Sequence, residues 1–234
     1  MRILYRDEQV LVADKPAGML TVPGRGDSST PLIAEVRAVA PGALAVHRLD
    51  RDTSGVVVFA LNREAHKALN AVFESRRAEK VYLALVRGDV GAEQQIDLPL
   101  LATRRNGMRV ARASEKGALP AVTVIEPQER FGMYTLCTCL PRTGRTHQIR
   151  VHLAAIGHPL AVDPRYGEDR PLHIGELWRG APDPDTVVLS RTPLHAASLR
   201  IPHPAKRGWL TVEAPLADDM ARCLDLLRAA RRES

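Results

Sequence analysis

Aromatic residues make up 4% of this chain, with three Phe, four Tyr and two Trp among 234 residues. So few rings exclude a surface on which several nucleobases stack in succession. Cysteine is equally sparse. Cys137, Cys139 and Cys223 cannot all pair, and the first two lie too close along an apparent strand for a relaxed bridge. A reducing compartment fits. Cys137-Thr138-Cys139 has no second Cys or His pair at zinc-ligand spacing, which favours buried strand cysteines over half of a metal site. No apolar stretch is long enough to cross a bilayer, and Met1-Arg2-Ile3-Leu4-Tyr5-Arg6-Asp7-Glu8 meets charge at once. The expectation is a protein of the cytoplasm, with no leader and no membrane partner. A phosphate-cradling Gly-rich motif and a dinucleotide fingerprint are also missing. No internal repeat, low-complexity tract or Ser/Gly linker divides the chain, which predicts one domain over 1–234 with irregular insertions. Nothing advertises a subunit interface, so a monomer is expected.

What is present begins with a 45% hydrophobic content, enough to fill a core, and a formal charge of +6. A positive balance is the electrostatic footprint of a nucleic-acid partner, although many basic proteins never touch RNA. The positive charges concentrate at Arg104, Arg105, Arg109, Arg112 and Lys116, with Glu115 alone against them, in a segment containing Asn106-Gly107 and Gly117. Two readings suit it equally: an exposed loop for phosphates, or a solvated surface loop.

Hydrophobic periodicity places the elements. Val10-Leu11-Val12-Ala13 reads as a strand ending at Asp14-Lys15-Pro16. Thr30 is placed to cap a helix with Pro31 in its first turn and Leu32 and Val36 on one face. The run from Val56 to Leu61 predicts a buried strand, and Ala65, Ala68, Leu69, Val72 and Phe73 a helix from about Glu64 to Arg77. Lys80 to Val86 alternates as a strand that ends at Gly88, with Tyr82 and Lys80 on one face. Further strands are expected at Ala121–Ile125, Met133–Leu140, Asp185–Ser190 and Trp209–Glu213. Ile149, Leu153 and Ile156 predict a helix stopped by Gly157, and Asp218 is placed to cap a last helix that turns Cys223, Leu224 and Leu227 inward. Strands outnumber helices without strict alternation, so the fold class expected is α+β with a mixed, mainly antiparallel sheet and flanking helices.

The densest chemistry sits in His47-Arg48-Leu49-Asp50-Arg51-Asp52-Thr53-Ser54-Gly55, a polar turn at the mouth of the Val56 strand. Arg48 and Arg51 beside Asp50 would keep its carboxylate ionised, and an ionised, partly desolvated carboxylate is a competent nucleophile or base. The bland reading is a turn in which Asp52 or Thr53 caps backbone amides.

These residues match the HRLD-x-x-TSG signature of the RluA-type pseudouridine synthase family, whose catalytic aspartate falls where Asp50 stands. Asp14-Lys15-Pro16-Ala17-Gly18 resembles the family's first motif, Lys80-Val81-Tyr82 its tyrosine strand, and Arg142-Thr143-Gly144-Arg145-Thr146-His147-Gln148-Ile149-Arg150-Val151-His152 its arginine motif. The motifs occur in the family's order. The chain starts directly at the first of them, so no N-terminal S4 RNA-binding domain is expected. Thr21-Val22-Pro23-Gly24-Arg25, Asp97-Leu98-Pro99-Leu100 and Gly117 to Thr123 look most like the branch that modifies both 23S ribosomal RNA and the anticodon stem-loop of transfer RNA.

The resemblance implies a pseudouridine synthase-like domain with a central active-site cleft, working on uridines in structured RNA without a cofactor or metal. It implies Asp50 as the catalytic carboxylate, Tyr82 stacking on the uracil and joining the late proton removal, and Arg145 pairing with the aspartate. Whether Asp50 adds to the base, attacks the sugar or abstracts a ribose proton stays open. Arg48 falls at the position associated with RNA contact and with filling the space of an extruded nucleotide. A flipped loop uridine costs less to unstack than a paired one, so a stem-loop substrate is expected. His47, Thr53, Lys80, Arg105, Arg109 and His147 complete the expected RNA-binding set, with the histidines serving as scaffold or phosphate contacts. A metal site at His147, Gln148 and His152 is the weaker reading because an acidic ligand is missing. Two other function classes stand beside the isomerase: a non-catalytic RNA-binding protein, which would not need Asp50, Tyr82 and Arg145 together, and a metal-dependent hydrolase using Asp50, Asp52 and nearby histidines.

Overall fold

The computed structural model describes residues 1–24, 26–104, 107–178 and 181–232. Along the chain run β1 (Arg2–Arg6), β2 (Val10–Lys15), α1 (Leu32–Val39), β3 (Leu44–Ala45), β4 (Ser54–Ala60), α2 (Arg63–Glu74) and β5 (Glu79–Arg87). Then follow β6 (Gln94–Asp97), β7 (Leu100–Ala102), β8 (Met108–Val110), β9 (Val122–Arg130), β10 (Tyr134–Pro141) and α3 (Gln148–Ala155). The rest comprises β11 (Leu172–His173), α4 (Ile174–Leu177), β12 (Val187–Leu189), β13 (Leu194–Pro202), β14 (Trp209–Glu213) and α5 (Asp218–Arg232). They gather into two compact units, one of Met1–Tyr82 with His195–Pro215 and one of Leu83–Leu194 with Leu216–Ser234.

In the first unit the strand order is β1-β2-β4-β13 followed by the start of β5, with β3 on β4 and β14 on β13. The β4–β13 pair is parallel, whereas β1–β2, β2–β4, β3–β4 and β13–β14 are antiparallel. β4 is buried on both faces, which explains its unbroken Val-Val-Val-Phe run. Its alternate residues feed two cores. Val56 and Val58, with Val10 and Val12 of β2, pack on Ala65, Leu69 and Val72 of α2. Val57 and Phe59, with Leu11 and Ala13, pack on Leu32, Ile33 and Val36 of α1.

Both helices depart from the sequence reading at an end. Thr30 does not cap α1. Pro31 holds the cap position with no side-chain bond, and the N–H groups of Leu32 and Ile33 donate to the carbonyls of Leu20 (2.8 Å) and Thr21 (3.0 Å). The preceding loop thus satisfies amides that a cap side chain would otherwise serve. α2 is capped by Asn62, whose Oδ1 accepts the Ala65 N–H at 2.8 Å, and it ends at Glu74, short of Arg77. Arg76 adopts φ 60°, and Arg77 N–H returns to the Val72 carbonyl at 2.9 Å. This is a Schellman closure without the glycine that usually signals it.

The second unit orders the rest of β5 with β10, β9 and β6, and holds the antiparallel pairs β7–β8 and β11–β12. α5 buries Met220, Cys223, Leu224 and Leu227 with Leu85, Tyr134, Leu136 and Leu172. Asp218 is the first residue of this helix and not its cap. All three cysteines are free and buried. The basic segment is more ordered than a loop, because Met108–Val110 pairs with Leu100–Ala102. β13, which the sequence reading did not anticipate, pairs with β4 and β14 in the first unit. The fold is α+β with a mixed, mainly antiparallel sheet.

Candidate active site

Asp50, Tyr82, His47, Arg48, Thr53 and Lys80 belong to the first unit, and Arg145, Arg109 and His147 to the second. Arg105 lies outside the described residues.

The turn carrying Asp50 is fixed on both sides of that residue. Buried Thr21 grips Leu49 at both ends of its peptide, its Oγ1 accepting the Leu49 N–H at 3.1 Å and its hydroxyl donating to the Leu49 carbonyl at 3.2 Å. Wholly buried Lys15 donates from Nζ to the carbonyls of Arg51 (2.8 Å), Met19 (2.6 Å) and Pro16 (2.9 Å). The turn closes where Thr53 N–H meets the Asp50 carbonyl at 3.2 Å. Its exit is clamped to β13. Ser54 and Gly55 lie opposite His195 and Ala196, and Ser54 Oγ stands 2.9 Å from Nδ1 of buried His195. Gly55, at φ 109°, has no room for a side chain, since a Cβ would sit 2.2 Å from the Ala196 carbonyl oxygen. Asp50 itself remains half-buried.

Around this turn the expected partners divide. The Arg51 guanidinium is ion-paired with Asp27 and donates to the Gly18 carbonyl at 3.2 Å. Arg48 is exposed and Thr53 buried. His47 belongs to the scaffold: its Nε2 accepts the Val58 N–H at 3.1 Å and its ring stacks on Phe73 at 4.8 Å. Burial, reinforced by the nearby Lys80 charge, pushes its pKa down to about 3, so the imidazole is neutral. Burial also lowers the Lys80 ammonium to about 8. Tyr82 packs among the core residues that include Leu11, Val57, Phe59 and Ala196. Burial and then the negative field of Asp50 raise its phenol above the ordinary value, which makes it a neutral hydrogen-bond donor at physiological pH.

In the second unit the Arg145 motif runs from the end of β10 into α3. Arg145 donates from Nε to the Pro120 carbonyl at 3.2 Å, which limits rotation of a side chain with donors in a planar fork. His147 takes a left-handed conformation, φ 53° and ψ 17°, rare for a non-glycine residue and here the reversal that starts α3. Its Nδ1 lies 2.7 Å from the Tyr166 hydroxyl, which accepts the Met108 N–H at 2.9 Å. Arg150 and Asp163 form a buried two-pronged pair, both contacts 2.8 Å, and Arg150 lies over the Tyr166 ring. That pairing holds the Asp163 carboxyl below its usual range in spite of burial. His152 is turned away from His147: Nδ1 meets Thr123 Oγ1 and Nε2 the Leu98 carbonyl, both at 2.9 Å, so a metal site at His147, Gln148 and His152 is not assembled. Arg109 is exposed but forms a two-pronged pair with Glu115 at 2.5 and 3.2 Å, so the one acid in the basic segment offsets it.

Sequence reasoning did not single out Thr21, His195 or Tyr166, and it quoted Lys15 only within a motif. A buried lysine leaves a signal in the Asp14-Lys15-Pro16 string, whereas lone Thr, His and Tyr residues leave none.

Comparison with known proteins bears on the family and the fold. The model of the RNA pseudouridylate synthase family matches residues 9–155. Ribosomal large subunit pseudouridine synthase C of Escherichia coli K12 is 42% identical over 98% of this chain and 70% of its own length. Ribosomal large subunit pseudouridine synthase D of Nitrosomonas europaea is 39% identical over 97% of this chain and 65% of its own. Among solved structures, human RNA pseudouridylate synthase domain containing 1 superposes with TM-score 0.72 at 28% identity, covering 100% of this chain and 95% of that one. The human domain containing 4 shares the fold with TM-score 0.77 at 23% identity, over 97% of this chain and 93% of that one. The chain belongs to the RNA pseudouridine synthase family, isomerases that convert uridine in RNA to pseudouridine.

Proposed function

We propose that this enzyme isomerises uridines in the RNA of the large ribosomal subunit, in the cytoplasm, with Asp50 as the reacting carboxylate. The substrate reading rests on the names of its relatives, and the residue assignment on the bracket around Asp50. Leu49 is gripped by Thr21, Arg51 by Lys15, and the exit at Ser54 lies against His195. A carboxylate held from both sides keeps its geometry when a base is brought to it, which is the requirement for a near-attack arrangement.

The reaction breaks the bond from uracil N1 to the ribose, turns the base and joins C5 to the same ribose carbon, so no atoms or electrons pass to a second substrate. Asp50 acts near C6 of the base or C1′ of the sugar. Tyr82 supplies a ring to hold the uracil. Tyr82 takes part in the late removal of the C5 proton, which passes to water. The arginine motif gives Arg145 a part in the reaction, while exposed Arg48, Arg104, Arg112 and Lys116 meet phosphates. The anticodon arm of transfer RNA is the second substrate suggested by the sequence branch.

Release of tritium from uridine labelled at C5 tests this reading, since C5 must lose its hydrogen when it joins the sugar. Large-subunit RNA should release label with the intact enzyme in the presence of chelator. Asp50→Asn should release none while retaining RNA affinity, and turnover by that variant would remove the assignment. Release from anticodon stem-loops as well would establish dual specificity.

A further inference from the structure

Gln148 is 4% exposed and uses the whole hydrogen-bonding capacity of its amide. Its Oε1 accepts the Thr143 hydroxyl at 2.6 Å and the Arg145 N–H at 3.0 Å. Its Nε2 donates to the Val122 carbonyl at 2.9 Å and to Thr123 Oγ1 at 3.0 Å. The orientation of this amide is not a free choice, because a backbone N–H only donates and a carbonyl only accepts. The residue's own N–H donates to the Arg145 carbonyl at 3.1 Å. Both peptide groups of Arg145 are therefore held by one side chain and its backbone.

The network continues in one direction. His152 Nε2 faces the Leu98 carbonyl, so its proton sits there and Nδ1 is an acceptor, filled by the Thr123 hydroxyl. Thr123 Oγ1 is left to accept from Gln148. At the other end the Val122 N–H donates to Thr143 Oγ1 at 3.1 Å, which commits the Thr143 proton to Gln148. Each proton position is dictated by a backbone group at one end or the other, and such a fully satisfied buried network specifies one arrangement. The Arg145 side chain is tied through Nε to Pro120, in the segment that leads to Val122 and Thr123.

We propose that Gln148 is the positioning residue for Arg145, fixing the backbone from which the guanidinium is aimed, with Thr143, Thr123 and His152 locking the amide in one orientation. This rests on the catalytic assignment of Arg145 made above. An apolar residue of similar length would fill the same volume and leave the Arg145 N–H unheld.

The test is a double-mutant cycle of Gln148→Met and Arg145→Ala, read by single-turnover tritium release from large-subunit RNA, with circular dichroism to verify folding. A misplacement of about 1 Å costs up to roughly 100-fold in rate, so Gln148→Met should slow the step by ~10–100-fold. The enzyme concentration giving half-maximal rate should stay within about twofold, because Gln148 is buried and the predicted loss is in the step alone. In the Arg145→Ala background the same substitution should cost nothing further. A full rate in Gln148→Met, or an equal loss in both backgrounds, overturns the inference while leaving Arg145 catalytic. An unimpaired Arg145→Ala overturns the catalytic assignment itself and the inference with it. If Gln148→Met does not fold, Thr143→Val takes its place in the cycle with the same expected outcomes.

Discussion

Replacing His47 with Gln should leave stability nearly unchanged in mildly alkaline solution and raise it relative to the parent in acid. In the folded protein the imidazole accepts the Val58 N–H, stacks on Phe73, lies near the Lys80 charge and has its pKa lowered from 6.5 to about 3. The unfolded chain takes up a proton that the folded one refuses, so the free energy of unfolding rises with pH. The contribution is complete above the unfolded value of 6.5 and is lost progressively as pH falls toward the folded value of about 3. The loss is ~0.2 kcal/mol near pH 7, ~0.8 near pH 6 and ~2 near pH 5, as upper estimates for a half-buried ring. Gln offers a neutral oxygen for the Val58 N–H and does not titrate. His152, whose pKa is also lowered by burial, loses stability over the same range in both proteins and cancels from the difference. Urea denaturation at a series of pH values measures that difference directly. If the stabilities of parent and variant run parallel from about pH 8 to 5, the imidazole is not held neutral by its contacts and the reasoning fails.

Three further outcomes are expected. Lys15→Met removes the donor shared by the carbonyls of Pro16, Met19 and Arg51, at ~1–3 kcal/mol for each buried acceptor, so urea denaturation should show a loss of at least ~3 kcal/mol. A loss below ~1 kcal/mol would show that the ammonium does not carry this turn. Gly55→Ala puts a Cβ 2.2 Å from the Ala196 oxygen at φ 109° and should lower the melting temperature by roughly 6 °C or more, or prevent folding. An unchanged melt would contradict the close approach of β4 and β13. Arg112→Ala should reduce the slope of log affinity against log salt by ~0.7–0.9, and Arg109→Ala, whose charge Glu115 already offsets, by less. Equal effects would mean that the ion pair opens when RNA binds.

Local pattern was enough for much of the fold. The β-branched run of β4, the helical spacing of α2 and the positive-φ stop at Gly157 are each decided by residues within a turn or two of one another. The misses have long-range causes. Thr30 had the chemistry of a cap, but the helix amides it would have served were already taken by the Leu20 and Thr21 carbonyls. β13 was overlooked because Leu194-His195-Ala196-Ala197-Ser198 lacks the β-branched residues that mark a strand, and its place is set by pairing with β4 and β14. The basic segment contains a strand because Met108 and Leu100 share a small core with Ala121 and Val151.

The same division of scales runs through the site. Asp50, Tyr82 and Arg145 stand out in the sequence because they lie in short motifs, but a motif says nothing of what keeps its residues still. Asp50 is steadied by Thr21, Lys15 and His195, which act on its neighbours from 28, 36 and 141 residues away. Each grips a backbone group or a flanking side chain of the turn. Arg145 is steadied differently, from three residues ahead, by an amide whose own bonds reach back 25 residues to Thr123. A residue that works by holding the backbone of a reacting residue needs a polar group and a fixed place, and its sequence context can be ordinary. That is why Gln148 and His152 first read as a poor metal site: side chains at helical spacing resemble ligands until the acceptors they already serve are known.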